Sequence, residues 1–71
     1  MSQTIYTCLG QLRKELHITQ ADLGKKVGTS RQTICAMEKG DYVPSLKLAL
    51  LIAKVFNRPV EDVFHLTNKK C

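Results

Sequence analysis

Few residues in this chain have side chains that could act chemically, so they are the natural starting point. Cysteines stand at positions 8, 35 and 71 and histidines at 17 and 65, scattered without the close spacing of a metal site. The cysteine number is odd, no two have the spacing of a redox pair, and no secretion signal precedes them, so free thiols in a reducing cytoplasm are expected. Ser30 and Ser45 fit as helix caps, and Gly10, Gly24, Gly28 and Gly40 form no phosphate-cradling loop. Catalysis is therefore not expected, and no metal, cofactor or small-molecule ligand is implied. What remains is a short polar and small surface made by Arg31, Gln32, Cys35 and Ala36, which share one side of a helix. Such a surface suits entry into the major groove of a nucleic-acid duplex.

Those four residues need elements to hold them. Leu9, Leu12 and Leu16 recur at three and four from Cys8, with Arg13, Lys14 and Glu15 between, which predicts a first amphipathic helix. Thr19, with Asp22 three residues on, predicts the start of a second helix whose apolar Leu23 and Val27 end at Gly28. Thr29 or Ser30 caps a third helix, Arg31 to Lys39, with Ile34 and Met37 inward and Gly40 closing it. Two short helices joined through one glycine make a tight helix-turn-helix, and a small residue is wanted at position 24 where they approach.

Pro44 and Ser45 open a fourth helix, Leu46 to Phe56, in which only Lys47 and Lys54 are polar. That composition predicts burial around nearly the whole circumference, with Leu46, Ala49, Leu50, Ala53 and Phe56 in the core. Asn57 ends it, and Pro59 with Glu61 and Asp62 opens a short fifth helix through Val63 or Phe64. The segment Thr4 to Thr7 alternates briefly, and His65, Leu66 and Thr67 are expected to pair with it as a two-stranded ribbon. The expected class is an all-α bundle of five helices.

With 71 residues and 44% hydrophobic positions from end to end, residues 1–71 read as one domain. A chain this short hides only about 60% of its extended surface, so a staple or a partner subunit is needed, and self-association is the expectation. Eleven Lys and Arg against six Asp and Glu give +5, compatible with an anionic partner but not proof of one. No stretch reaches the roughly 20 apolar residues of a membrane span, so no membrane partner is expected.

The stretch TQADLGKKVGTSRQTICAMEKG, from Thr19 to Gly40, resembles the helix-turn-helix of lambda-repressor/Cro-type (XRE family) transcription regulators. The resemblance continues through YVPSLKLALLIAKVF and RPVEDVF, covering about residues 5 to 66. It implies double-stranded DNA as the partner. Base contacts then fall to Ser30, Arg31, Gln32, Cys35 and Ala36, with Arg31 suited to guanine and Gln32 to adenine. Phosphate contacts fall to Gln20, Thr29, Lys39, Tyr42 and the amides near Gly40 and Asp41, with Gln20 also bracing the recognition helix. Arg13 and Glu38 match a structural ion pair of the family. The sequence departs from the family at Gly24, where alanine is usual and glycine costs a helix about 1 kcal/mol, and at Cys35, where a polar residue is common.

The resulting expectation is a sequence-specific, cytoplasmic regulator, a repressor, that binds a near-palindromic operator as a homodimer. Asn57, Arg58, Val60, Phe64 and Leu66 are the expected dimer surface. Two other readings stand beside it: an antitoxin-like or interaction-only module on the same fold, and a repressor gated by oxidation of Cys35.

Overall fold

Five helices and one small ribbon make up the computed structural model, which describes residues 5–67 and residue 71. In chain order they are β1 (Tyr6–Thr7), α1 (Leu9–Glu15), α2 (Gln20–Val27), α3 (Arg31–Glu38), α4 (Leu46–Phe56), α5 (Val60–Val63) and β2 (Phe64–His65). The ribbon is antiparallel and pairs Tyr6 with His65 and Thr7 with Phe64. Leu66 and Thr67 lie beyond that pairing, and Thr4 falls outside the described residues. Two further bonds pin the ribbon to α5: the Cys8 amide and the Thr7 hydroxyl both donate to the Val63 carbonyl at 2.9 Å.

Local chemistry sets the helix boundaries. The Thr19 hydroxyl accepts from the Asp22 amide and the Asp22 carboxylate accepts from the Thr19 amide, both at 3.0 Å, closing a reciprocal cap on α2. Hydrogen bonding to Thr19 also holds the Asp22 carboxyl below its ordinary range. Ser30 is the cap of α3, accepting from the Thr33 amide at 3.1 Å, and Ser45 caps α4 through the Leu48 amide at the same distance. Asn57 ends α4 in the left-handed region.

Leu9, Leu12, Leu23, Val27, Ile34, Met37, Ile52, Ala53 and Val63 form one core that draws on every helix. Leu16 does not join it; it follows the last residue of α1 and is half exposed. The larger correction concerns α4. Its buried side is Ala49, Ile52 and Ala53, with Leu48, Val55 and Phe56 packed partly against the core. Leu46 is 72% exposed and Leu50 51%, so the expected burial around the circumference does not hold. The physical reason is scarcity: four other short helices can cover only one side of α4, and nothing else among the described residues reaches the rest.

A second correction concerns the cysteines. Cys8 and Cys71 are joined by a disulfide that spans 63 residues of sequence, leaving Cys35 as the free thiol. The staple that a chain of this size needs is thus present. Spacing along the chain could not reveal it, because the ribbon alone brings the two ends together. Among the described residues, no helix is long and apolar enough to cross a membrane.

Candidate nucleic-acid interface

The turn between α2 and α3 is built around two glycines with different tasks. Gly28 adopts φ 78° and ψ 33°, a left-handed conformation that its missing Cβ makes inexpensive. The chain then doubles back so closely that the Thr29 amide donates to the Gly24 carbonyl at 2.8 Å. A Cβ on Gly24 would lie 2.7 Å from the Thr29 carbonyl oxygen, a backbone atom that cannot swing aside. Glycine at position 24 therefore does more than weaken α2; it permits the close approach of the turn. Val27, Ile34 and Met37, all buried, fix how the two helices cross.

This packing decides what α3 presents. Arg31 and Gln32 stand exposed on its first turn, and Ser30 is exposed just before them. Cys35 and Ala36 are half-buried along α3, and Thr29 is half-buried in the turn before it. Ser30 is already engaged, since its hydroxyl caps Thr33 and lies 2.9 Å from the Thr33 hydroxyl. Eight residues give α3 a length of about 12 Å, and a helix with its side chains is about 10–12 Å across, close to the width of a major groove.

The far end of α3 is clamped by one carboxylate. Glu38 accepts from Arg13 Nε at 2.7 Å and Nη2 at 3.2 Å, and from Gln20 Nε2 at 3.1 Å. A third Arg13 bond, from Nη1 to the Ile18 carbonyl at 2.9 Å, ties the same guanidinium to the chain entering α2. Helices α1, α2 and α3 thus meet at Glu38, and Gly10 lets it come near: a Cβ there would sit 3.2 Å from Oε1. Burial pushes the Glu38 carboxyl up, but the hydrogen bonds from Arg13 and Gln20, with the charges of Arg13 and Lys14, outweigh it and leave the group below its ordinary value. The hydrogen bond to Glu38 correspondingly raises the Arg13 guanidinium, against a smaller opposing effect of burial.

Arg13 and Glu38 are therefore paired, and Gln20 donates to the same carboxylate, joining α2 to the end of α3. Gln20 spends one amide hydrogen on Glu38 and keeps another for a second acceptor. Lys39 and Tyr42 are exposed past the end of α3. The amides expected beside them are not available in the same way: Gly40 donates to the Met37 carbonyl at 3.0 Å and Asp41 to the Ala36 carbonyl at 2.9 Å. Both serve to terminate α3, a role that Gly40 supports with φ 80°.

Of the expected dimer surface, Asn57, Arg58 and Leu66 are exposed while Val60 and Phe64 are half-buried. Leu46, Leu50, Lys54 and Asn57 follow steps of four, four and three, so they form one row along α4 that leads into α5. The exposed leucines of this row were missed as surface residues because an apolar side chain in a helical pattern carries no mark of whether a neighbour covers it.

A helix-turn-helix family model matches residues 9–63. The chain is 62% identical over 52 residues to an uncharacterized HTH-type transcriptional regulator of Methanocaldococcus jannaschii, a match covering 72% of this chain and 79% of that protein. A similarly described regulator of Bacillus subtilis is 55% identical over 56 residues, covering 79% of this chain and 85% of its own length. Among solved structures, the P22 c2 repressor in complex with a synthetic operator superposes with a TM-score of 0.72 at 32% identity, covering 75% of this chain and 80% of that one.

Proposed function

Because the chain belongs to the helix-turn-helix family of lambda-repressor/Cro (XRE) type, it is a DNA-binding transcription regulator, and we propose that it reads a near-palindromic operator as a homodimer and represses from it. The observation that carries this reading is the pair Arg31 and Gln32, exposed on the first turn of a recognition helix whose other end Glu38 holds to α1 and α2. A rigidly held helix with a bidentate donor fork and an amide at its tip has the chemistry to tell guanine and adenine edges apart. Gln20, Thr29, Lys39 and Tyr42 lie on the flanking elements, where phosphate contacts set register without reading sequence. The net charge of +5 favours the same partner.

A homodimer fits this reading in two ways. One recognition helix touches too few base pairs to select a site in a genome, and a two-fold pair of helices about 34 Å apart reads two half-sites one turn apart. Leu46, Leu50 and Leu66 are exposed, and a second copy that covers them together with Asn57, Arg58, Val60 and Phe64 removes apolar surface from water. A cytoplasmic location agrees with a DNA partner.

Fluorescence anisotropy on an enriched duplex and on single-base variants of it tests the assignment. Arg31→Ala is expected to weaken the preferred duplex about tenfold or more, at about 1–3 kcal/mol per bidentate contact, and to relax preference at one position of each half-site. Lys39→Ala is expected to weaken all duplexes alike and to flatten the salt dependence by about one unit of slope. Unchanged affinity and preference in Arg31→Ala overturns the assignment.

A further inference from the structure

One cluster of reactive side chains lies apart from the DNA-facing helix, on the opposite ends of the chain. Cys8, buried at the start of α1, is bonded to the exposed Cys71, and His65 Nε2 lies 3.2 Å from Cys8 Sγ. The orientation of His65 is fixed independently of the sulfurs. Its Nδ1 lies 2.8 Å from the Glu61 carbonyl, which can only accept, so Nδ1 carries a proton, and in the neutral imidazole the lone pair is then on Nε2, toward Cys8. The ribbon register Tyr6 with His65 and the bond from the Cys8 amide to Val63 tie the two partners together through backbone contacts that do not involve the sulfurs. Glu15 of α1, Arg58 before α5 and Asp62 of α5 line the same groove as Cys8, His65 and Cys71, and Tyr6 faces His65 across the ribbon.

We propose that Cys8, Cys71 and His65 form a thiol–disulfide exchange site, in which Cys71 is the sulfur that meets an external disulfide or thiol and Cys8 is the internal nucleophile served by His65 as base. In closing, the Cys71 thiolate attacks a small-molecule disulfide, forming a mixed disulfide and releasing one thiolate. Cys8 then passes its proton to His65 Nε2 and attacks the Cys71 sulfur; the Cys8–Cys71 bond forms, the second small thiolate leaves, and it takes up the proton. Two electrons pass from the cysteine pair to the external disulfide, which departs as two thiols. Opening is the reverse, with Cys8 as the leaving thiolate beside a protonated His65. The exposed sulfur and the buried, base-served sulfur thus divide the two roles that such exchange requires.

The test uses the full chain carrying Cys35→Ser, reduced and then exposed to glutathione disulfide, with acid quenching, alkylation and mass spectrometry to follow each species. The expected sequence is a transient glutathione adduct on Cys71 followed by Cys8–Cys71 closure. An unassisted thiol of ordinary acidity gains about thirtyfold in thiolate between pH 7 and pH 9.5; the wild-type closure step is expected to accelerate less than about fivefold over that range. His65→Asn is expected to slow closure at least tenfold at pH 7 and to recover by pH 9.5, a pH profile that mere loosening of the ribbon does not produce. Stable adducts on both cysteines, or a closure rate in the chain with His65 intact that follows the full thirtyfold rise, overturn the proposal, and the second readout does not depend on His65→Asn folding.

Discussion

Replacing Glu38 by Gln removes one charge at the point where three helices meet, and its cost can be worked from the geometry. The carboxylate accepts two bonds from Arg13, at 2.7 and 3.2 Å, and one from Gln20 at 3.1 Å. The Arg13 and Glu38 side chains are only 12% and 13% exposed, so water screens the pair weakly. A bond to a charged group is worth about 1.5–3 kcal/mol net against about 0.5–1.5 for a neutral one, and the amide turns one former acceptor into a donor facing donors. The expected loss is about 2 kcal/mol, below the 3–5 kcal/mol or so for breaking a fully buried pair. For a chain this short that corresponds to a fall in Tm of about 8–16 °C, followed by circular dichroism at one fixed protein concentration. The pH dependence has a definite sign. A carboxyl held below its unfolded value stabilises fully above that unfolded value, and the contribution disappears as pH falls through the folded one. The gap between wild type and Glu38→Gln is therefore full at pH 7 and narrows below about pH 4. A Tm within about 3 °C of wild type, or a coupling below about 0.5 kcal/mol in a cycle with Arg13→Gln, refutes the clamp.

Three further outcomes follow from single positions. Gly24→Ala gains about 1 kcal/mol of helix propensity but drives a Cβ to 2.7 Å from the Thr29 carbonyl; chemical denaturation is expected to show a net loss of about 1 kcal/mol, and a gain contradicts the tight turn. His17 holds φ 58° without being glycine, so His17→Gly is expected to stabilise by about 0.5 kcal/mol, measured by the denaturation midpoint. Leu50→Glu places a charge in the exposed row of α4 and is expected to shift sedimentation from dimer to monomer at micromolar concentration while leaving the monomer folded.

How far the sequence alone reaches depends on the distance over which each signal acts. Caps and turns are local, so Thr19, Ser30, Ser45 and Gly28 mark their helices within a residue or two. The pair Arg13 and Glu38, 25 residues apart, came only through resemblance to a family, since no periodicity joins them. Leu46 and Leu50 look identical to core leucines because hydropathy records what a side chain prefers and not what the rest of the chain can supply. The set Cys8, His65 and Cys71 is invisible at the sequence level for a related reason: a ribbon of two residue pairs collapses a separation of 63 residues into one bond. The amides of Gly40 and Asp41 show the reverse limit, where a local resemblance assigns donors that the end of α3 already uses.

The central claim is that Arg31 and Gln32 at the tip of α3 read base edges. Selecting bound duplexes from a fully randomised pool, with wild type and Arg31→Ala in parallel, tests it most directly. The account predicts a near-palindrome with half-sites one turn apart for wild type, and the same motif with one degenerate position per half-site for the variant. Enrichment of no motif, or of an identical motif by both proteins, contradicts it.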